Sequence, residues 1–189
     1  MQNTRFAHPK SSYRKLNVYK KAVTIYDLTY LFLENHISKK DRTYDQMLQA
    51  ARSGKQNIVE GRSDAAVSAE IEIKLFGVAR GSLHELLNDY EDFMRTRNIP
   101  IWPLDFPRAV KLRDLCKIQN ESAYYMDLYP RLNDEEFCNL MLTLLNQELR
   151  MLDNFIELIK EDFLKNGGIK EQMLKARLES RKSERGQKS

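Results

Sequence analysis

The sequence predicts an all-α fold: an antiparallel up-down four-helix bundle with an additional inserted helix and a short C-terminal helix. Three observations predict it. Apolar residues recur at steps of three and four through most of the 189-residue chain. Seven glycines and five prolines are few for a turn-rich β protein. A hydrophobic share of 42% beside a charged share of 31% belongs to a chain that buries a core, and this length suits one domain with an extension.

Residues 1–12 read as a disordered basic arm, and residues 13–97 as the first three helices of the bundle. In the first helix Leu16, Tyr19, Val23, Tyr26, Tyr30 and Leu33 form the expected seam, ending near Asn35. After a short link, Thr43 and Gln46 have the spacing of a capping box for the second helix, which runs to Gly61 as its stop. Ser63, Asp64 or Ser68 is available to cap a third helix reaching about Arg97. That helix carries two apolar stripes, one with Leu75, Ala79, Ser82, Leu86 and Phe93, the other with Ile73, Phe76, Leu83, Leu87 and Met94. A helix apolar on two sides needs two packing partners.

Residues 98–168 read as linker, inserted helix and long closing helix. Pro100 and Pro103 exclude helix from the linker, because each lacks an amide donor and restricts the residue before it. Pro107 opens an inserted helix over 107–127, with Ala109, Leu112, Cys116, Ala123 and Met126 inward. Asn133 and Glu136 are placed to cap the next helix, in which Leu145, Leu149, Leu152, Ile156, Ile159 and Phe163 form a seam. Its matched length makes 134–165 the closing helix, with 107–127 as the other option. Gly167 and Gly168 end it, and residues 169–189 form a short amphipathic helix with Ile169, Met173, Leu174 and Leu178, then a basic tail.

The net charge of +4 conceals a division along the chain. Both ends are basic and the body between them is mildly acidic. Cys116 and Cys138 lack metal or redox spacing and read as reduced, buried thiols, a bridge between them staying open. With no leader-like apolar stretch and no run near the roughly 18 apolar residues of a membrane span, the expectation is a cytoplasmic protein without a membrane partner.

The most distinctive residues lie on helices two and three, where QAARSGKQNIVEG is followed by VARGSLHEL and preceded on helix one by YRKLNVYKKAVTIY. Over roughly residues 13–97 this chain resembles the 23S rRNA intervening-sequence protein family, and its remainder resembles the subgroup with a C-terminal four-helix-bundle suffix region. The motif positions are Ala50, Ala51, Ser53, Asn57, Ile58, Glu60 and Gly61, then Ala79, Gly81, Ser82, Glu85 and Leu86. Gln49 stands where that family usually has Arg, and Gly54 where it usually has Ile. The resemblance implies an up-down bundle assembled into a ring, often a pentamer. It also implies similarity to the accessory protein of diversity-generating retroelements, which works with a reverse transcriptase and nucleic acid, and it implies no established enzyme activity.

Two structural roles are expected of the motif. Gly54, Gly77 and Gly81 are read as sites of close helix approach, since each costs about 1 kcal/mol against Ala inside a helix. Asn57, Glu60, Arg62, Ser82 and Glu85 are read as a hydrogen-bonded layer that fixes register. Catalytic and cofactor chemistry finds no sequence support: there is no phosphate loop, no dinucleotide fingerprint and no zinc spacing, and the residues three before His36 and His84 are Leu33 and Gly81, not glutamates. Tyr19, Tyr26 and Tyr30 are assigned to the core by the seam. The candidate nucleic-acid contacts are Arg14, Lys15, Lys20 and Lys21 at the start, with Lys175, Arg177, Arg181, Lys182 and Arg185 in the tail. The functional expectation is a non-enzymatic, oligomeric scaffold without cofactor, binding RNA or DNA or a nucleoprotein. The alternative is a structural or accessory subunit that meets a protein partner by helix packing.

Overall fold

The computed structural model describes residues 13–64 and 68–168 and, further on, residues 171, 173–175, 177 and 178. All of these are helix or connecting segment, with no strand among the described residues. A 3-10 turn, Tyr13–Lys15, leads into α1 (Asn17–His36), followed by α2 (Arg42–Asp64) and α3 (Ala69–Thr96). Then come α4 (Pro107–Ile118), α5 (Ser122–Leu128), a second 3-10 turn at Tyr129–Arg131, and α6 (Asp134–Asn166). Helix α1 packs on α2, α2 on α3, α3 on α6 and α6 on α1, while α4 lies against α6 and α5 against α1. The buried core draws on all four of these helices, with Cys116 from α4 and Tyr125 from α5 joining it. The expected arm at 1–12 and the tail beyond Leu178 lie outside the described residues.

The face that α1 buries is not the expected tyrosine seam. Val18, Ala22, Ile25, Leu28, Phe32 and Leu33 are buried, whereas Tyr19 and Tyr26 are half-buried and Tyr30 is 44% exposed. The buried stripe was masked by polar residues whose groups are satisfied locally. Thr24 donates to the Lys20 carbonyl at 3.1 Å, and Thr29 accepts from the Tyr90 hydroxyl at 3.2 Å. Buried polar groups that are paired cost little, so hydropathy alone misplaces the face.

Helix α2 begins two residues earlier than the Thr43 cap implied, because the Asp41 carboxylate takes the Thr43 amide at 2.9 Å. It also runs through Gly61 to Asp64, so Gly61 is not a helix stop. Gly61 is buried where the Phe76 ring crosses, and a β-carbon there would lie 3.1 Å from Phe76 Cε2. Gly54 plays the same part more severely, with Leu83 Cδ2 and Cγ both 2.6 Å from a built β-carbon. The two glycines let α3 press closely onto α2. On α3 both expected stripes find partners: Phe76, Ala79, Leu83, Leu86, Leu87, Phe93 and Met94 are buried between α2 and α6.

The linker is held by α6. Trp102 donates its indole N–H to Glu135 at 2.6 Å and its amide to Asn139 Oδ1 at 2.8 Å, and Asn139 returns a bond to the Pro100 carbonyl at 3.0 Å. The expected helix 107–127 is two helices. Gln119 accepts the Glu121 amide on its side chain at 2.9 Å and the Tyr125 hydroxyl on its carbonyl at 3.0 Å, local bonds that replace the helical ladder. That break turns Tyr125 into the core and leaves Ala123 exposed. The Asn133 and Glu136 capping box is present at the start of α6, as the sequence predicts.

Candidate functional site

The start of α1 and the facing side of α2 build a basic, aromatic surface. Tyr13 packs edge-on against Tyr19, with ring centroids 4.9 Å apart, and Arg14 lies over the Tyr13 ring at 5.9 Å. One helical pair further along, the Lys55 ammonium sits 3.7 Å above the Tyr26 ring. Arg14, Lys15 and Arg52 are exposed and Lys55 is half-buried, and none of them forms an ion pair with an acid among the described residues. Arg14 and Lys15 were legible as candidates in the sequence. Arg52 and Lys55 were not, since only the pairing of α2 with α1 brings Lys55 over the Tyr26 ring, with Arg52 one turn before it on α2.

The other two N-terminal candidates are placed differently. Lys20 is bound to Glu121 at 2.5 Å, an exposed pair that engages its charge. Lys21 is not on the surface at all: the residue is 1% exposed and its ammonium donates to the Cys116 carbonyl at 2.6 Å and to Gln147 Oε1 at 3.2 Å. The sequence signal was available, because Val18, Lys21, Ile25 and Leu28 step by three and four and put a lysine in an apolar stripe. Opposite it, Glu148 is fully buried on α6, and neither carboxyl oxygen has a hydrogen-bond partner. Burial pushes Glu148 well above the usual carboxylate range, opposed by the Lys21 charge, and burial lowers Lys21. Of the tail residues, Lys175 and Arg177 are exposed on helical turn, while Arg181, Lys182 and Arg185 lie outside the described residues.

The motif residues divide between packing and surface. Ala50, Ala51, Ile58, Gly61, Ala79 and Leu86 are buried and line the α2 and α3 contact. Gly77 and Gly81 are exposed with nothing within 4 Å of a built β-carbon, so they are not sites of close approach within this chain. The expected polar layer is also absent. Asn57 donates to the Ser53 carbonyl one turn back, Glu60 accepts from Gln56 on the surface, Ser82 is half-buried and Glu85 is exposed. Arg62 is the exception: it pairs with buried Glu72 at 2.5 Å and lies 5.5 Å from the Phe155 ring, fastening the end of α2 and the start of α3 against α6.

Cys116 and Cys138 are free and buried, as expected, and burial pushes the Cys138 thiol up to about 12. No cluster of three or more His, Cys, Asp or Glu side chains suited to a metal ion occurs among the described residues. No described helix is long and apolar enough to cross a membrane. Comparison of the chain with protein-family models, with curated proteins and with solved structures finds no match.

Proposed function

We propose that the chain is a non-enzymatic helical scaffold that self-associates and binds the phosphates of RNA or DNA. In this reading α1, α2, α3 and α6 form an antiparallel up-down bundle closed by α6, with α4 and α5 as the insertion. The observation that carries the binding claim is the set Arg14, Lys15, Arg52 and Lys55, without an acid partner among the described residues, with Arg14 over Tyr13 and Lys55 over Tyr26. Unneutralised cations beside aromatic rings are the chemistry that nucleic-acid surfaces use. Lys175 and Arg177 extend the basic character toward the C-terminus.

Membership in the intervening-sequence family, and the pentamer it implies, is part of the same proposal and rests on the motif residues of α2 and α3. A second reading, an accessory subunit docking on a protein by helix packing, is favoured by the open face of α3. There Gly77 and Gly81 present bare backbone beside exposed Ile71 and Val78. Salt separates the two readings. Phosphate contacts release counterions and weaken steeply with salt, whereas helix packing responds little. Retention of RNA or DNA by the intact protein at low salt, lost at moderate salt and reduced by deleting residues 170–189, is the expected result; no retention at low salt refutes the nucleic-acid claim.

A further inference from the structure

Glu148 occupies the middle of the core-facing stripe of α6, with Leu144, Leu145 and Leu152 one turn away and all buried. Among the described residues its two oxygens receive no hydrogen bond, including none from Lys21, the charge that acts on it. An ionised carboxylate stripped of every donor is far costlier to bury than the neutral acid, so the core as built accommodates the acid form. Lys21 meanwhile spends its protons elsewhere. Through the Cys116 carbonyl it grips the last turn of α4, and through Gln147, whose amide donates to the Arg113 carbonyl at 3.0 Å, it ties α4 to α6.

We propose that Lys21 is a two-position clasp: with Glu148 protonated it holds α4 onto α1 and α6, and when Glu148 loses its proton to water the ammonium turns to the carboxylate and releases α4. Two features make α4 the element that yields. It contributes few buried side chains, Ala109 and Cys116, and its packing is against α6. Ile118 at its end is 82% exposed, so little apolar contact secures the turn that Lys21 holds.

Among the described residues no other group is a candidate for the counter-charge. On α4 the Cys116 thiol is raised by burial and stays neutral, and on α5 the Tyr125 hydroxyl is raised by burial and donates to Gln119. Neither α2 nor α3 presents a charge that acts on Glu148. Because the folded chain keeps a proton on Glu148 that the unfolded chain loses near 4.5, stability is full below that range and falls as pH rises, by at most about tenfold in the unfolding constant per pH unit. Lys21 acts oppositely but only in the alkaline window below 10.5, where the folded chain has shed a proton that the unfolded chain keeps.

The test is amide hydrogen exchange of residues 115–119 relative to α3, corrected for intrinsic rates, between about pH 5 and about pH 8. Wild type should lose α4 protection as pH rises, by up to about tenfold per unit. Glu148→Gln should keep that protection independent of pH, and Lys21→Met should lack it throughout. Protection that does not change with pH in wild type, an equal loss in Glu148→Gln, or normal protection in Lys21→Met at the acid end would each overturn the clasp. If Glu148→Gln does not fold, Glu148→Leu replaces it with the same expectation. Infrared difference spectra should also show a protonated carboxyl C=O band in folded wild type at neutral pH, and its absence would refute the acid form.

Discussion

Replacing Gly54 with Ala should destabilise the protein, although the same change at the two exposed glycines of α3 should stabilise it. Inside a helix, Gly to Ala gains about 1 kcal/mol from reduced backbone entropy. At Gly54 the new methyl would stand 2.6 Å from both Cγ and Cδ2 of Leu83. Leu83 is fully buried and Cγ is not a flexible chain end, so the helices must separate or Leu83 must leave its rotamer. Overpacking of that kind costs about 1–3 kcal/mol, and the contact with two atoms places Gly54 at the upper end. The net expectation is a loss of about 1–2 kcal/mol, or roughly 2–8 °C in Tm for a domain of this size. Gly77→Ala and Gly81→Ala meet open space and should each gain about 0.5–1 kcal/mol. Denaturant unfolding of the three variants beside wild type decides it. A Gly54→Ala variant as stable as wild type, or losses at Gly77 and Gly81, would refute this account of how α2 meets α3.

Burial that raises the Cys138 thiol to about 12 should make it nearly inert to thiol reagents at mildly alkaline pH in the folded protein and fast on unfolding, as read by timed labelling and mass spectrometry. Immediate labelling of Cys138 in native protein would contradict its place in the core. The assembly claim is checked by light scattering at micromolar concentration: a mass several times 22.3 kDa is expected, and a species of only 22.3 kDa would remove the oligomer. If the open face of α3 supplies the contact, Val78→Asp should lower that mass without unfolding the chain.

Much of the fold was legible because helical periodicity and end signals are local. The linker prolines, the Asn133 capping box and the two stripes of α3 each depend on residues a few positions apart. What escaped depends on contacts between helices. Gly61 reads as a stop by type, yet the Phe76 ring crossing it makes it a packing position inside α2. The tyrosines of α1 outweigh its threonines in hydropathy, yet Thr24 and Thr29 are buried because partners for their hydroxyls lie within reach. Lys21 reads as one more basic residue near a basic terminus until Cys116 and Gln147 are placed beside it. Glu148 shows the reverse: its position between Leu145 and Leu152 was visible in the sequence, but its lack of any partner was not.

The salt dependence of nucleic-acid binding tests the proposed function most directly, compared between wild type and a variant with Arg14, Lys15, Arg52 and Lys55 changed to Gln. Each phosphate contact adds roughly 0.7–0.9 to the slope of log affinity against log salt. The account predicts that the variant binds more weakly at low salt and that its slope is smaller by about 3, with its fold unchanged by circular dichroism. Equal affinity and an equal slope in the two proteins would contradict it.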